Sequence, residues 1–104
     1  MPVTEIKTES EFNSAINSSG LVVVDFHAVW CGPCKMIAPV LEQISAALPE
    51  VTFVKVDVDV LSNLASTQGI TAMPTIKLFK GGVEVDQIVG ANIEAIRKKI
   101  EENK

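Results

Sequence analysis

Only two cysteines occur in the chain, Cys31 and Cys34, and they stand three residues apart. A secreted disulfide framework draws distant segments together and uses more thiols than this. A bond across so short a span closes a tiny loop and adds little to stability, so the pair reads as reagents rather than struts. No apolar run approaches the length of a membrane span. The nine basic residues are scattered, and without a basic stripe the usual electrostatic footprint of a nucleic-acid binder is missing. The net charge of −4 speaks mainly for solubility. Internal repeats, low-complexity tracts and linkers are also lacking. The opening segment Met1-Pro2-Val3-Thr4-Glu5 lacks the charged-then-apolar pattern of a signal peptide, which makes the cytoplasm the expected location.

What is present suits one well-filled core. The 104 residues are 47% hydrophobic, and that length predicts a single domain over 1–104. Val3 to Ile6 predicts a short strand. Thr8-Glu9-Ser10-Glu11 matches a capping box, with Thr8 as N-cap, and Phe12, Ala15 and Ile16 give the helix behind it an apolar stripe that Ser18-Ser19-Gly20 ends. Leu21 to Ala28 is almost continuously apolar and β-branched, as in a central strand buried on both faces. From about Cys31 a helical stripe runs through Ile37, Val40, Leu41, Ile44 and Leu48, with Pro39 expected to kink rather than end it. Val51 to Val58 predicts a second buried strand. Asp59 is then expected to cap a short helix carrying Leu61, Leu64 and Ala65, closed by Gly69. Thr75 to Phe79 and Val83 to Val89 predict a hairpin through Lys80-Gly81-Gly82. A last helix carries Ile93, Ile96 and Ile100, with Glu94 near its start and Arg97, Lys98 and Lys99 toward its end, which suits the helix dipole. The order βαβαβαββα predicts an α/β fold: a mixed sheet with helices on both faces, early strands parallel and the last two antiparallel.

The cysteines fall where a buried strand gives way to a helix. Positions i and i+3 share a helix face, so the two sulfurs can meet. Cys31 lies at the helix N-terminus, where unpaired N–H groups and the dipole favour a thiolate. Cys34 lies one turn inside and is expected to be the shielded member. An accessible nucleophile beside a buried resolving thiol is what disulfide exchange needs. Gly32 admits a partner backbone, and Pro33 pre-sets a helical φ where its missing N–H costs little. Trp30 reads either as an exposed platform beside the site or as a core aromatic. The competing reading of C-x-x-C is half a zinc site, but four ligands are needed and the chain offers only the two cysteines and His27. No bound metal is expected.

The segment Trp30-Cys31-Gly32-Pro33-Cys34, followed by Lys35, resembles the active site of the thioredoxin family. So do Asp25-Phe26, Pro39, Met73-Pro74-Thr75, Phe79, Gly82 and Val89-Gly90, at family separations over essentially the whole chain. The resemblance implies the thioredoxin fold, a five-stranded mixed sheet flanked by four helices. It implies a protein-disulfide reductase that carries electrons, binds no cofactor, and is recharged from NADPH by thioredoxin reductase. Client proteins of the peroxiredoxin, ribonucleotide reductase and methionine sulfoxide reductase types follow from it, as does a mainly monomeric chain.

Supporting residues come from the same resemblance. Asp25 would sit behind Cys34 and move its proton, with burial raising its pKa toward neutrality; read alone, it is a strand carboxylate reaching solvent. Lys55 is either its charge partner or an exposed sheet lysine. Met73-Pro74 would be a cis peptide facing the cysteines, although sequence alone favours trans. If cis, the Met73 backbone can pair with an extended substrate segment. Gly90-Ala91 would wall the same groove; both stretches also read as ordinary turns. His27 departs from the aromatic residue often found at its position. It reads as a packed neutral imidazole or as a group that tunes nearby titrations or partner choice. Two rivals share the fold. Disulfide-forming oxidases commonly carry His between the cysteines, where this chain has Gly32-Pro33. A non-catalytic binding module would have no use for two intact cysteines.

Overall fold

A strand apolar at consecutive positions needs cover on both sides, and Leu21–His27 receives it. A computed structural model describes residues 3–104, so the first two residues of the stretch expected to form one domain lie outside it. The elements are β1 (Val3–Glu5), α1 (Glu9–Ile16), β2 (Leu21–His27), α2 (Gly32–Ala47), β3 (Thr52–Asp57), α3 (Ser62–Thr67), β4 (Thr75–Lys80), β5 (Val83–Val89) and α4 (Ile93–Asn103). The five strands form one sheet in the order β1-β3-β2-β4-β5. β3 runs parallel to β1 and β2, whereas β4 runs antiparallel to β2 and β5. This is the expected five-stranded mixed sheet with four helices.

Side-chain alternation along β2 divides the core. Leu21 and Val23 join Ile37, Leu41 and Ile44 of α2 and Ile96 and Ile100 of α4. Val22, Val24 and Phe26 join Phe12 and Ile16 of α1 and Leu64 of α3. Phe12 packs against Phe26 at 6.2 Å and edge-on to Phe79 at 5.8 Å between ring centroids. Each fully buried Val, Leu, Ile or Phe contributes roughly 1.5–3 kcal/mol, so both layers are needed to hold β2 in place.

Helix ends follow local chemistry, with three departures from expectation. Thr8 caps α1 by accepting the Glu11 N–H at 3.1 Å, but the Glu11 carboxylate reaches back to the N–H of Lys7 rather than that of Thr8. Thr8→Ala is expected to cost about 1 kcal/mol, read as a lower urea midpoint at unchanged slope. Asp59 does not cap α3, which starts at Ser62 without a side-chain cap. The helix begins too far along the chain, and the Asp59 carboxylate is taken by the Trp30 indole. The basic run Arg97-Lys98-Lys99 does not lie at the end of α4 either. That helix continues to Asn103 with no basic residue in its last turn, and Lys99 pairs sideways with Asp86 at 3.3 Å.

α2 runs unbroken through Pro39. The proline lies on the exposed face, so the Lys35 carbonyl that loses its helical donor can turn to water. Gly81 and Gly82 both have positive φ, 59° and 82°, and Lys80 pairs with Val83 across them. That is the two-residue hairpin turn glycine favours.

Candidate active site

The carboxyl end of β2 points its chain toward the N-terminus of α2, and the cysteines occupy that junction. Cys31 is the N-cap of α2, with extended backbone (φ −87°, ψ 112°), and its Sγ accepts the Cys34 N–H at 3.2 Å. The two sulfurs are joined in a disulfide, with Cα atoms 5.3 Å apart. The same N–H and the helix dipole would stabilise a thiolate on Cys31 once the bond is reduced. Gly32 opens this corner to an approaching chain, since among the described residues nothing beyond its chain neighbours and its own helix backbone lies within 4 Å of where a side chain would begin. Pro33, also exposed, fills the first turn of the helix.

The expected difference in accessibility between the cysteines is not found. Cys31 is 5% and Cys34 3% exposed; they form a buried cluster with Ala28, against which Val58 and Met73 pack. The asymmetry lies in what each sulfur meets. Cys31 Sγ lies 3.6 Å from the Met73 carbonyl oxygen. Cys34, and not Cys31, lines a cavity of about 170 Å³ together with Asp25, His27, Ala28, Lys35, Ala38 and Lys55.

The Met73-Pro74 peptide is cis. Pro74 is buried, and its carbonyl accepts the Gly90 N–H at 2.8 Å, which ties the Met73-Pro74 segment to Gly90-Ala91. Gly90 has φ +103°, a value side-chain-bearing residues avoid. Trp30 is 64% exposed, not part of the core, and its Nε1 donates to Asp59 Oδ2 at 2.8 Å.

Asp25 is 5% exposed, and its Oδ1 has no hydrogen-bond partner among the described residues. Burial pushes its pKa up to about 7, a rise that the positive charge of Lys55 only moderates. Lys55 stands opposite Asp25 in the β2–β3 register, yet the two form no salt bridge among the described residues. With no close partner to hold the charge, loss of water dominates. His27, two residues on, is half-buried, and its buried Nε2 has no hydrogen-bond partner among the described residues.

Two acidic residues at this corner escaped the sequence reading of the site. Asp59 anchors Trp30, and Asp57 organises the turn beside it by accepting the N–H groups of Asp59 and Val60. The available signal was the change from apolar to ionisable residues at the ends of β2 and β3, where Asp25 faces Lys55 and His27 faces Asp57 in register. Among the described residues no group of three or more His, Cys, Asp or Glu is placed to hold a metal ion.

Comparison with known proteins agrees with this geometry. The Thioredoxin family model matches residues 3–102. Thioredoxin-1 of Saccharomyces cerevisiae is 54% identical over 101 residues, covering 97% of this chain and 98% of that protein. The structure of Plasmodium falciparum thioredoxin superposes with a TM-score of 0.94 at 44% identity, covering 98% of this chain and all of that one. A chain from a structural study of the thiol-resolving mechanism in yeast mitochondrial 1-Cys peroxiredoxin via glutathione/thioredoxin systems has a TM-score of 0.91 at 41% identity. It covers 96% of this chain and 94% of its own. A strand-to-helix dithiol in this sheet, matched along nearly its whole length, leaves one conclusion: the chain belongs to the thioredoxin family and is a thiol–disulfide oxidoreductase.

Proposed function

We propose that the chain works as a reductant, with Cys31 as nucleophile and Cys34 as resolving thiol. The carrying observation is that Cys34 alone of the two borders the cavity holding Asp25. The Cys31 thiolate attacks one sulfur of a client disulfide, forming a mixed disulfide and releasing the first client thiolate, which takes a proton from solvent. The Cys34 thiol passes its proton to Asp25. The resulting thiolate attacks Cys31 Sγ and expels the second client thiolate. Two electrons pass to the client, and the Cys31–Cys34 disulfide remains. A carboxyl group with a pKa of about 7 matches that proton transfer at neutral pH.

Trp30, Met73, Pro74, Gly90 and Ala91 form the docking edge in this reading. Exposure of the indole and the hydrogen bond joining Pro74 to Gly90 support a shallow, preformed groove in which the Met73 backbone pairs with an extended client segment. Gly32 and Pro33 tune the dithiol, and Lys55 tempers Asp25. Electrons come from NADPH through a thioredoxin reductase, and the chain is mainly a monomer. A reducing compartment suits such a dithiol, which supports a cytoplasmic site of action. Peroxiredoxin-type clients are favoured by the relative described with a 1-Cys peroxiredoxin; ribonucleotide reductase and methionine sulfoxide reductase types share the same chemistry.

The test is reduction of insulin disulfides coupled to NADPH and a thioredoxin reductase. NADPH consumption that scales with this chain is expected. Lack of turnover by chain already reduced with dithiothreitol would remove the reductant reading, and an oxidising equilibrium with glutathione would reverse its direction.

A further inference from the structure

Asp25 can accept the Cys34 proton in each turnover only if that proton later leaves its buried carboxyl group. Asp25 is 5% exposed, and its Oδ1 finds no protein partner among the described residues. The only other buried side-chain nitrogen or oxygen without a partner among the described residues is His27 Nε2. Residues two apart on a strand face the same side, and both Asp25 and His27 line the cavity of about 170 Å³ bordered by Cys34. A cavity of that size, with Asp25, His27, Lys35 and Lys55 among its lining residues, has room for more than one water. His27 is the half-buried member of the two, with Nε2 inside and part of the residue reaching solvent.

We infer that His27 is the proton exit of the site, carrying the Cys34 proton from Asp25 through cavity water to the surface. This rests on the role proposed above for Asp25. In the step, the Asp25 carboxyl gives its proton to water and that water gives one to Nε2. The imidazolium then releases a proton to bulk solvent. Asp25 returns as a carboxylate and His27 as a neutral ring, so one proton per turnover has moved from Cys34 to solvent and no electrons have moved.

The surroundings keep the ring in the accepting form. Lys55 and Asp57 face it from β3, Glu5 from β1, Asp25 from its own strand, and Cys34 and Lys35 from α2. Burial lowers the His27 pKa below its usual 6.5; Asp57 and Glu5 pull upward and Lys55 adds to the lowering. At pH 7 the imidazole is therefore mainly neutral. His27 touches neither sulfur in this scheme and acts through Asp25.

The experiment isolates the Cys34 step. A mixed disulfide between Cys31 and a chromophoric aromatic thiol is held at pH 5, jumped to pH 8 in dilute buffer, and followed by release of the thiol. His27→Phe and His27→Gln are both expected to slow release, by about tenfold, and added imidazole buffer is expected to restore much of the rate. Wild-type release should be insensitive to that buffer. Glutamine keeps a hydrogen-bonding group but cannot titrate, so wild-type rates in His27→Gln would overturn the inference, whatever His27→Phe does. Asp25→Asn separates the two readings. If it releases thiol at the wild-type rate, the Asp25 role itself fails. If it is slow while both His27 variants are normal, only the exit through His27 is overturned.

Discussion

Asp25→Ala is expected to make the oxidised protein more stable, by about 4 kcal/mol above pH 7, with no comparable gain near pH 4. The sign follows from burial. In the unfolded chain the carboxyl ionises near 3.8, whereas in the folded chain it ionises at about 7. Between those values the native state binds the extra proton, so raising the pH weakens it. The loss is about 1.4 kcal/mol per pH unit and is complete once the folded carboxyl has ionised. Alanine removes the group and with it the slope. Urea denaturation of both proteins from pH 4 to pH 8 is the check, and a difference in stability that does not vary with pH would show that Asp25 is not carrying a buried charge. The same substitution should slow reduction near neutrality, so the protein retains a destabilising group where its chemistry needs one.

Cys34→Ser should convert the chain from a reductant into a trap. Cys31 still attacks, but nothing expels the client from the mixed disulfide, so a covalent adduct accumulates that dithiothreitol releases. Cys31→Ser should form no such adduct and should lose on the order of 10³-fold or more in exchange rate. Mass spectrometry of each variant after incubation with a disulfide-containing client reads both outcomes. Stable capture by Cys31→Ser in place of Cys34→Ser would exchange the two roles. Their nearly equal burial means that accessibility in the disulfide form does not decide the matter. The proposed roles rest instead on the helix N-terminus at Cys31 and the Asp25 cavity at Cys34.

The scaffold was legible because its signals are local or periodic. The almost continuous apolar run of β2 announced a strand covered on both faces, and the Gly81-Gly82 pair announced its hairpin. Thr8 could be read as a cap because its partner lies three residues away. Asp59 misled for the same reason. Its spacing from Leu61 resembles a cap, while its partner, the Trp30 indole, is 29 residues distant and only the folded sheet brings it near. The cis form of Met73-Pro74 is likewise invisible to local propensity, which favours trans; it was reached through resemblance. The pairing of Asp25 with Lys55 required the β2–β3 register. The lack of a close ion pair between them could be learned only from side-chain placement.

β2 has a hydrogen-bonded neighbour on each side, β3 and β4, and cover from both core layers. Amides so placed are expected to be among the slowest to exchange with solvent, and the dithiol hangs from the strand's end with four residues between His27 and α2. The chemistry is thus anchored to the most deeply enclosed strand of the sheet. Local breathing elsewhere, in the short α3 or along β5, leaves the distance between strand end and helix start unchanged. On warming, the dithiol is therefore expected to keep its geometry close to the point where the fold itself is lost.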